Sequence, residues 1–160
     1  MTKAKPLPSQ ARLKEAFNYD PSSGVLTWRI APNGRIKVGD AIKFTQVYVN
    51  VQLDGQLYKA HRIIWMYAYG EDPGSSLVDH KDQDKTNNRL SNLRLATSAQ
   101  NQANKRQSKG YRYVASRAKW EAFIRVAKKL IFLGRFATEE EARQAYVSAK
   151  LHHFGEFAAT

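Results

Sequence analysis

The chain has 160 residues, 42% of them hydrophobic and 11% aromatic, enough for a packed core in one ordinary domain or two small ones and an argument against global disorder. It has no cysteine, which removes disulfide frameworks, thiolate zinc sites and cysteine nucleophiles together and leaves His, Asp, Glu, Asn or backbone oxygen to hold any metal. The excess of 26 Lys and Arg over 14 Asp and Glu, a formal charge of +12, points to a polyanionic partner, nucleic acid first.

The charge is unevenly spread. Residues 1–45 carry eight basic and three acidic side chains, residues 46–108 eight and six, and residues 109–160 ten and five. Between Lys105 and Arg135 there are ten cations and one acid, Glu121. An Asp-rich middle between positive flanks suits a cation site beside a polyanion. No apolar run approaches the ~20 residues that span a bilayer, and MTKAKPLPSQ lacks the apolar stretch of a signal peptide. A soluble intracellular protein is expected, with no membrane partner.

In chain order, Ser9 caps a predicted helix running to about Asn18, with Leu13, Ala16 and Phe17 on one side. Asp20-Pro21-Ser22-Ser23-Gly24 predicts a turn before a strand at Val25–Trp28. Val47, Val49 and Val51 alternate with polar neighbours, the period of a strand, and Asp54-Gly55 supplies the positive φ angles of a tight hairpin. A helix is predicted from Ala60 to Tyr69, stopped by Gly70.

Next comes a short strand, Leu77-Val78, ending in Asp79-His80. A polar Asn-rich loop leads to a second strand, Leu93–Thr97, and Ser98 is placed to cap a helix towards Arg106. KRQSKG, residues 105–110, has linker composition, which sets a domain boundary at 107/108. Beyond it Tyr111–Ser116, Trp120–Val126 and Leu130–Phe136 read as three strands. Thr138-Glu139-Glu140-Glu141 opens a helix with a capping box, and Ala142, Ala145, Tyr146, Ala149 and His153 share one face of it, as far as Gly155. His152 and His153 read as helix-surface and packing residues.

Hydrolysis of a phosphodiester needs a deprotonated nucleophile, neutralised charge on the phosphorane and a stabilised leaving oxygen. A divalent cation meets the last two demands and an imidazole the first. Asp79 and His80 are adjacent at a strand end, so their side chains leave opposite faces. Asn101 follows 21 positions after His80, on the next helix. One carboxylate, one amide and waters make an oxygen-rich site for one magnesium or manganese ion. Asp82 and Asp84 read as solvated loop acids, and His61 as a residue that packs or bonds locally.

Asp79-His80, the Asn87-Asn88 loop, Ser91-Asn92-Leu93 and Asn101 together resemble the HNH motif of phage and homing-type endonucleases, in the variant whose last histidine is asparagine. Ala60–Trp65 resembles the stretch that precedes that motif, and the likeness covers most of residues 12–107. It implies a ββα-metal fold, dependence on a divalent cation and nicking or cutting of DNA to leave a 5′ phosphate. In that family His80 would be the general base, Asp79 and Asn101 the metal ligands, and Asn92 the residue that holds the loop so that His80 stays oriented. Asn104, one helical turn beyond Asn101, is the competing ligand. A phage origin, and with it the cytoplasm of a bacterial host, is implied by the resemblance alone.

Residues 110–157 resemble the DNA-binding domain of plant ethylene-response factors, which also occurs appended to phage HNH enzymes. The matching stretches are Lys119–Ile124, Phe132–Phe136, Thr138–Ala142, Ala145-Tyr146 and Phe154–Phe157. The resemblance implies a three-stranded sheet laid in the major groove with a helix behind it. Ala115-Ser116-Arg117-Ala118 stands where that family has a Gly-containing turn.

The residues themselves agree, with Arg112, Arg117, Lys119, Arg125, Lys128, Lys129 and Arg135 on strands or turns, and Lys105 and Arg106 before them. Tyr111, Tyr113 and Trp120 are expected among the cations, with Val, Ile and Phe on the opposite face.

The expected protein is α+β in two modules. Residues 1–107 form a ββα-metal nuclease with an N-terminal extension, and residues 108–160 a three-stranded antiparallel sheet with one packed helix. Its partner is double-stranded DNA, and nothing singles out a protein partner. The rival expectation is a non-catalytic DNA-binding regulator that keeps the HNH fold as scaffold.

Overall fold

The computed structural model describes residues 6–42, 44–45, 48–105 and 109–158. The chain divides into two compact units, residues 1–96 and 97–160. The boundary expected at 107/108 lies outside the described residues. The helix before it groups with the C-terminal unit, where it packs on that unit's long helix. The class is α+β, built from short helices and small antiparallel sheets.

In the first unit α1 spans Gln10–Ala16, capped by the Ser9 hydroxyl, which accepts the Arg12 N–H. It ends two residues earlier than expected because Phe17 is extended and opens β1, Phe17–Asp20. β1 pairs with β2, Val25–Trp28, in antiparallel register. The Asp20 carboxylate ties the turn by accepting the Ser22 N–H and the Ser22 and Ser23 hydroxyls. These bonds hold its carboxyl down at about 2, the Ser23 hydroxyl contributing most.

β3 (Phe44–Thr45), β4 (Tyr48–Leu53) and β5 (Gln56–Lys59) form a three-stranded sheet. Asp54 and Gly55 at the β4–β5 turn have φ of 49° and 74°, the tight hairpin that Asp-Gly selects. Val47 of the expected alternation lies outside the described residues. Then comes α2, Ala60–Tyr69, closed by Gly70 in the left-handed conformation. Leu13, Phe17, Ile63 and Ile64 are fully buried where α1, β1 and α2 meet, with Trp28, Val51, Leu53 and Val78 around them. Each such large side chain stabilises the fold by roughly 1.5–3 kcal/mol relative to exposure.

β6 (Leu77–His80) and β7 (Leu93–Ala96) make a separate hairpin, joined by the Asn-rich loop and a 3-10 turn at Leu90–Asn92. Val78 belongs to the apolar core. His80, two residues on, leaves the strand on the same side.

The second unit opens with α3, Ser98–Ala103. Its cap is Thr97 rather than Ser98, reciprocally bonded with Gln100, and it stops at Ala103 rather than continuing to Arg106. β8 (Tyr111–Val114), β9 (Lys119–Val126) and β10 (Lys129–Phe136) form an antiparallel sheet in the order β10-β9-β8. The expected capping box of Thr138 and Glu141 starts α4, Glu139–Phe154, which packs on all three strands. Ala142 is buried as expected. At the far end Lys150 is buried while His153 is exposed, which corrects the expected face. No helix among the described residues is long and apolar enough to cross a membrane.

Candidate active site and cationic face

The β6–β7 register sets Asp79 opposite Arg94 and His80 opposite Leu93, so the adjacent acid and imidazole leave opposite faces, as the sequence predicts. Both are buried, as is Arg94. The Arg94 guanidinium donates from Nε to Asp79 Oδ2 at 3.1 Å. A buried carboxylate with a buried counter-ion is held firmly, because removing either partner strands a charge in low dielectric. This partner was not read from the sequence; the signal was the symmetric placing of Asp79 and Arg94 in two predicted strands.

On the other face, His80 Nε2 stands 3.0 Å from Asn88 Oδ1. An amide oxygen only accepts, so Nε2 carries the proton and the basic lone pair lies on Nδ1. Asn88 is itself buried. His61 of α2 meets the His80 ring edge to face, with centroids 5.1 Å apart. Burial first, and then the neighbouring charges of His80, Lys59 and Arg62, push the His61 pKa down to about 3. It is a neutral wall behind His80, a packing residue as expected, although its contact with the candidate base was not foreseen.

The loop between the strands is closed from within. Asn92 Nδ2 donates to Asp82 Oδ1 and to the Asn87 carbonyl, while its Oδ1 accepts the Asp82 N–H. Its own carbonyl accepts the Lys81 N–H, and Lys81 Nζ donates to the Ser91 carbonyl. Asn92 thus pins the loop as the sequence reading has it, but the side chain bonded to the imidazole Nε2 is Asn88. Asp82 and Asp84 are exposed yet are more than solvated acids. Asp82 also receives the Asn87 amide and the Asp84 N–H, and Asp84 receives the Thr86 hydroxyl and N–H. The Thr86 hydroxyl above all holds the Asp84 carboxyl below its usual range.

With the loop acids so engaged, Asp79 is the carboxylate that the hairpin strands themselves contribute, and it faces the Arg94 guanidinium. Among the described residues no group of three or more His, Cys, Asp or Glu gathers as a metal cage. One carboxylate suits a hydrated magnesium-type ion, which takes one or two carboxylates, keeps several waters and borrows oxygen from a substrate phosphate. The second expected ligand, Asn101, is half-buried on α3, and the alternative, Asn104, is buried at its C-terminal end. Both belong to the second unit, Asp79 to the first.

In the second unit every expected cation that is described is exposed, namely Lys105, Arg112, Arg117, Lys119, Arg125, Lys128, Lys129 and Arg135; Arg106 lies outside the described residues. Register puts Arg112 and Arg135 on either side of Glu121. The buried Glu121 carboxylate accepts from Arg117 and Arg135 at 2.9 and 3.0 Å, with Arg112 at 3.8 Å. The bond from Arg135 is the main reason its pKa lies below the usual range. Lys128 and Ala127 take positive φ in the tight β9–β10 turn.

The aromatic expectation is corrected. Tyr111 and Trp120 lie on the α4 side, where Tyr111 meets Tyr146 of α4 and Trp120 shares the strand face of buried Ala122 and Ile124. Tyr113 packs on Trp120. The rings among the cations are Phe123 and Phe132, capped by Arg112 and Arg135 at 5.3 and 5.6 Å. Strand parity, counted from buried Ala122, was the available signal.

Residues 58–103, which run from β5 to the end of α3, match the family model described as HNH endonuclease. The chain is 39% identical over 102 residues to an uncharacterized HNH endonuclease of Acanthamoeba polyphaga mimivirus, a match covering 62% of this chain and 54% of that protein. The chain thus spans about half the length of this curated relative. No solved structure matches.

Proposed function

We propose that the first unit supplies the general base of a metal-dependent DNA endonuclease and that the second anchors the enzyme on duplex DNA. The observation that carries this reading is the buried His80–Asn88 bond beside Asp79, inside the stretch that matches the HNH endonuclease model. Asn88 fixes the proton on Nε2, and His80 Nδ1 takes a proton from the attacking water. The new P–O bond forms as the bond to the 3′ oxygen breaks, leaving a 5′ phosphate. As imidazolium forms, Asn88 Oδ1 keeps accepting from Nε2, so the ring need not turn during the step. General-base catalysis of this kind is worth about 10²–10⁴ in rate.

On the first unit, Asp79 would hold one magnesium or manganese ion, with waters and a substrate phosphate oxygen completing its shell. When bound, such an ion neutralises charge on the phosphorane and on the leaving oxygen. Arg94 already neutralises Asp79, so a cation there must compete with a guanidinium for the same carboxylate.

The cationic face of β8–β10 would lie against the phosphates. Six such contacts would give a log–log salt slope of about −5, and Glu121 would hold the central arginines splayed towards them. Support comes from the exposure of every expected cation among the described residues and from the likeness to the ethylene-response-factor domain.

The rival, a non-catalytic regulator, is favoured by one observation, the buried Asp79–Arg94 ion pair. A supercoiled plasmid incubated with the protein in magnesium, manganese or EDTA decides between them. The nuclease reading expects nicked circles with either metal, none in EDTA and none with His80→Ala. Intact plasmid in every metal, with duplex binding retained, makes the protein a regulator.

A further inference from the structure

We infer that the N-terminal β1–β2 hairpin belongs to the catalytic apparatus, because Tyr19 and Gly24 fix Asn88 and, through it, the orientation of His80. The inference rests on the reading of His80 as general base.

Three contacts from this hairpin converge on the short stretch Asn88–Leu90. The Tyr19 hydroxyl donates to the Asn88 carbonyl at 2.9 Å and accepts the Leu90 N–H at 3.1 Å, bridging the chain on both sides of Arg89. The Arg89 guanidinium donates from Nε to the Ser22 carbonyl at 2.6 Å. Gly24, at φ 77°, presses its backbone on the same place. A Cβ there would stand 2.6 Å from Arg89 N and 2.8 Å from the Asn88 carbonyl carbon. Only glycine permits both that dihedral and that approach.

This splint joins residues more than sixty positions apart. It fixes the backbone of the residue whose side chain holds His80. Within the loop, Asn88 Nδ2 makes a long 3.4 Å contact to the Thr86 carbonyl. The aromatic ring of Tyr19 meets Tyr67 edge-on at 6.1 Å. Phenylalanine would keep that packing and lose only the hydroxyl, so the positioning role separates cleanly from the core. Tyr19 and Gly24 are positioning residues, since neither touches the reacting atoms.

The test sets Tyr19→Phe beside wild type and His80→Ala, in the 160-residue chain. It measures single-turnover nicking of supercoiled plasmid, kcat and KM, the thermal midpoint, and the ¹⁵N-resolved NMR signals of the histidine ring nitrogens. The expectation is a kcat about 10- to 100-fold lower, since small misplacements of a catalytic group cost that much. KM and midpoint stay near wild type, and the His80 Nε2–H signal, protected in wild type, exchanges rapidly in the variant. Gly24→Ala, which pushes the same backbone, moves kcat and the signal in the same direction.

A Tyr19→Phe enzyme with wild-type kcat, or one whose activity falls only with its folded fraction while the His80 signal stays unchanged, overturns the inference. Wild-type nicking by His80→Ala instead overturns the base assignment and the catalytic role of the hairpin with it. The NMR signal then still tells whether the splint orients the ring.

Discussion

The two units use charge in opposite ways. In the first, the groups that matter are buried, and each meets a specific neighbour: Asp79 with Arg94, His80 with Asn88. In the second, the cations of the sheet stand in solvent around one buried acid, Glu121. Low dielectric makes each interaction strong and each loss expensive, which suits chemistry that tolerates little misplacement. A solvated cation costs little to move and is screened by salt, which suits a backbone of phosphates met in many registers. The same residue type, arginine, is therefore buried at position 94 and solvent-facing at positions 112 and 135.

Five variants sharpen or break that contrast. The largest effect is expected of His80→Ala, a fall of about 10²–10⁴ in nicking rate with duplex affinity unchanged in a filter-binding or anisotropy titration. A comparable loss of affinity would mean that His80 serves binding.

Next is Arg94→Ala, which leaves the Asp79 carboxylate buried without its guanidinium and should destabilise the fold by about 3–5 kcal/mol in urea unfolding. An effect near that of a surface arginine would show that the pair is open to water.

The third expectation concerns acid. His61 has a folded pKa of about 3 against an ordinary value near 6.5, so the unfolded chain binds this proton first as pH falls. Its contribution is complete above pH 6.5 and is lost at up to about 1.4 kcal/mol per pH unit between there and pH 3. His61→Leu should flatten that part of the stability-against-pH curve. An unchanged slope would place a solvated imidazole at position 61.

The smallest effect is expected on the sheet. Arg125→Ala should leave stability within about 0.5 kcal/mol and make the salt slope of duplex binding shallower by about 0.9. Glu121→Gln, with one negative charge fewer, should tighten binding to random duplex while weakening discrimination among sequences. A variant that keeps full discrimination would show that Glu121 does not set the arginines.

Local signals carried much of this into the sequence. Asp54-Gly55, Gly70, the capping box at Thr138 and the strand parity of Asp79 and His80 each depend on neighbours a few residues away, and the structure has them as read. What could not be read locally was decided by distant partners. α1 stops at Ala16 because Phe17 is recruited to pair with Trp28. Asn92 was legible as the loop's anchor, since its bonds stay within about ten residues. Asn88 was visible as part of an Asn pair, but its contact with His80 depends on a loop path that Tyr19 and Gly24 determine. The sheet aromatics were assigned to the wrong side because their composition, and not their parity from Ala122, was weighed.

The press of Gly24 on the chain at Asn88-Arg89 also bears on how the protein can be cut down. A fragment excised to the matching stretch, 58–103, keeps both Asp79 and His80 and every loop asparagine. It discards the brace that stands under them. Motif and machine therefore have different edges here, and a fragment that nicks plasmid is expected to start upstream of Tyr19.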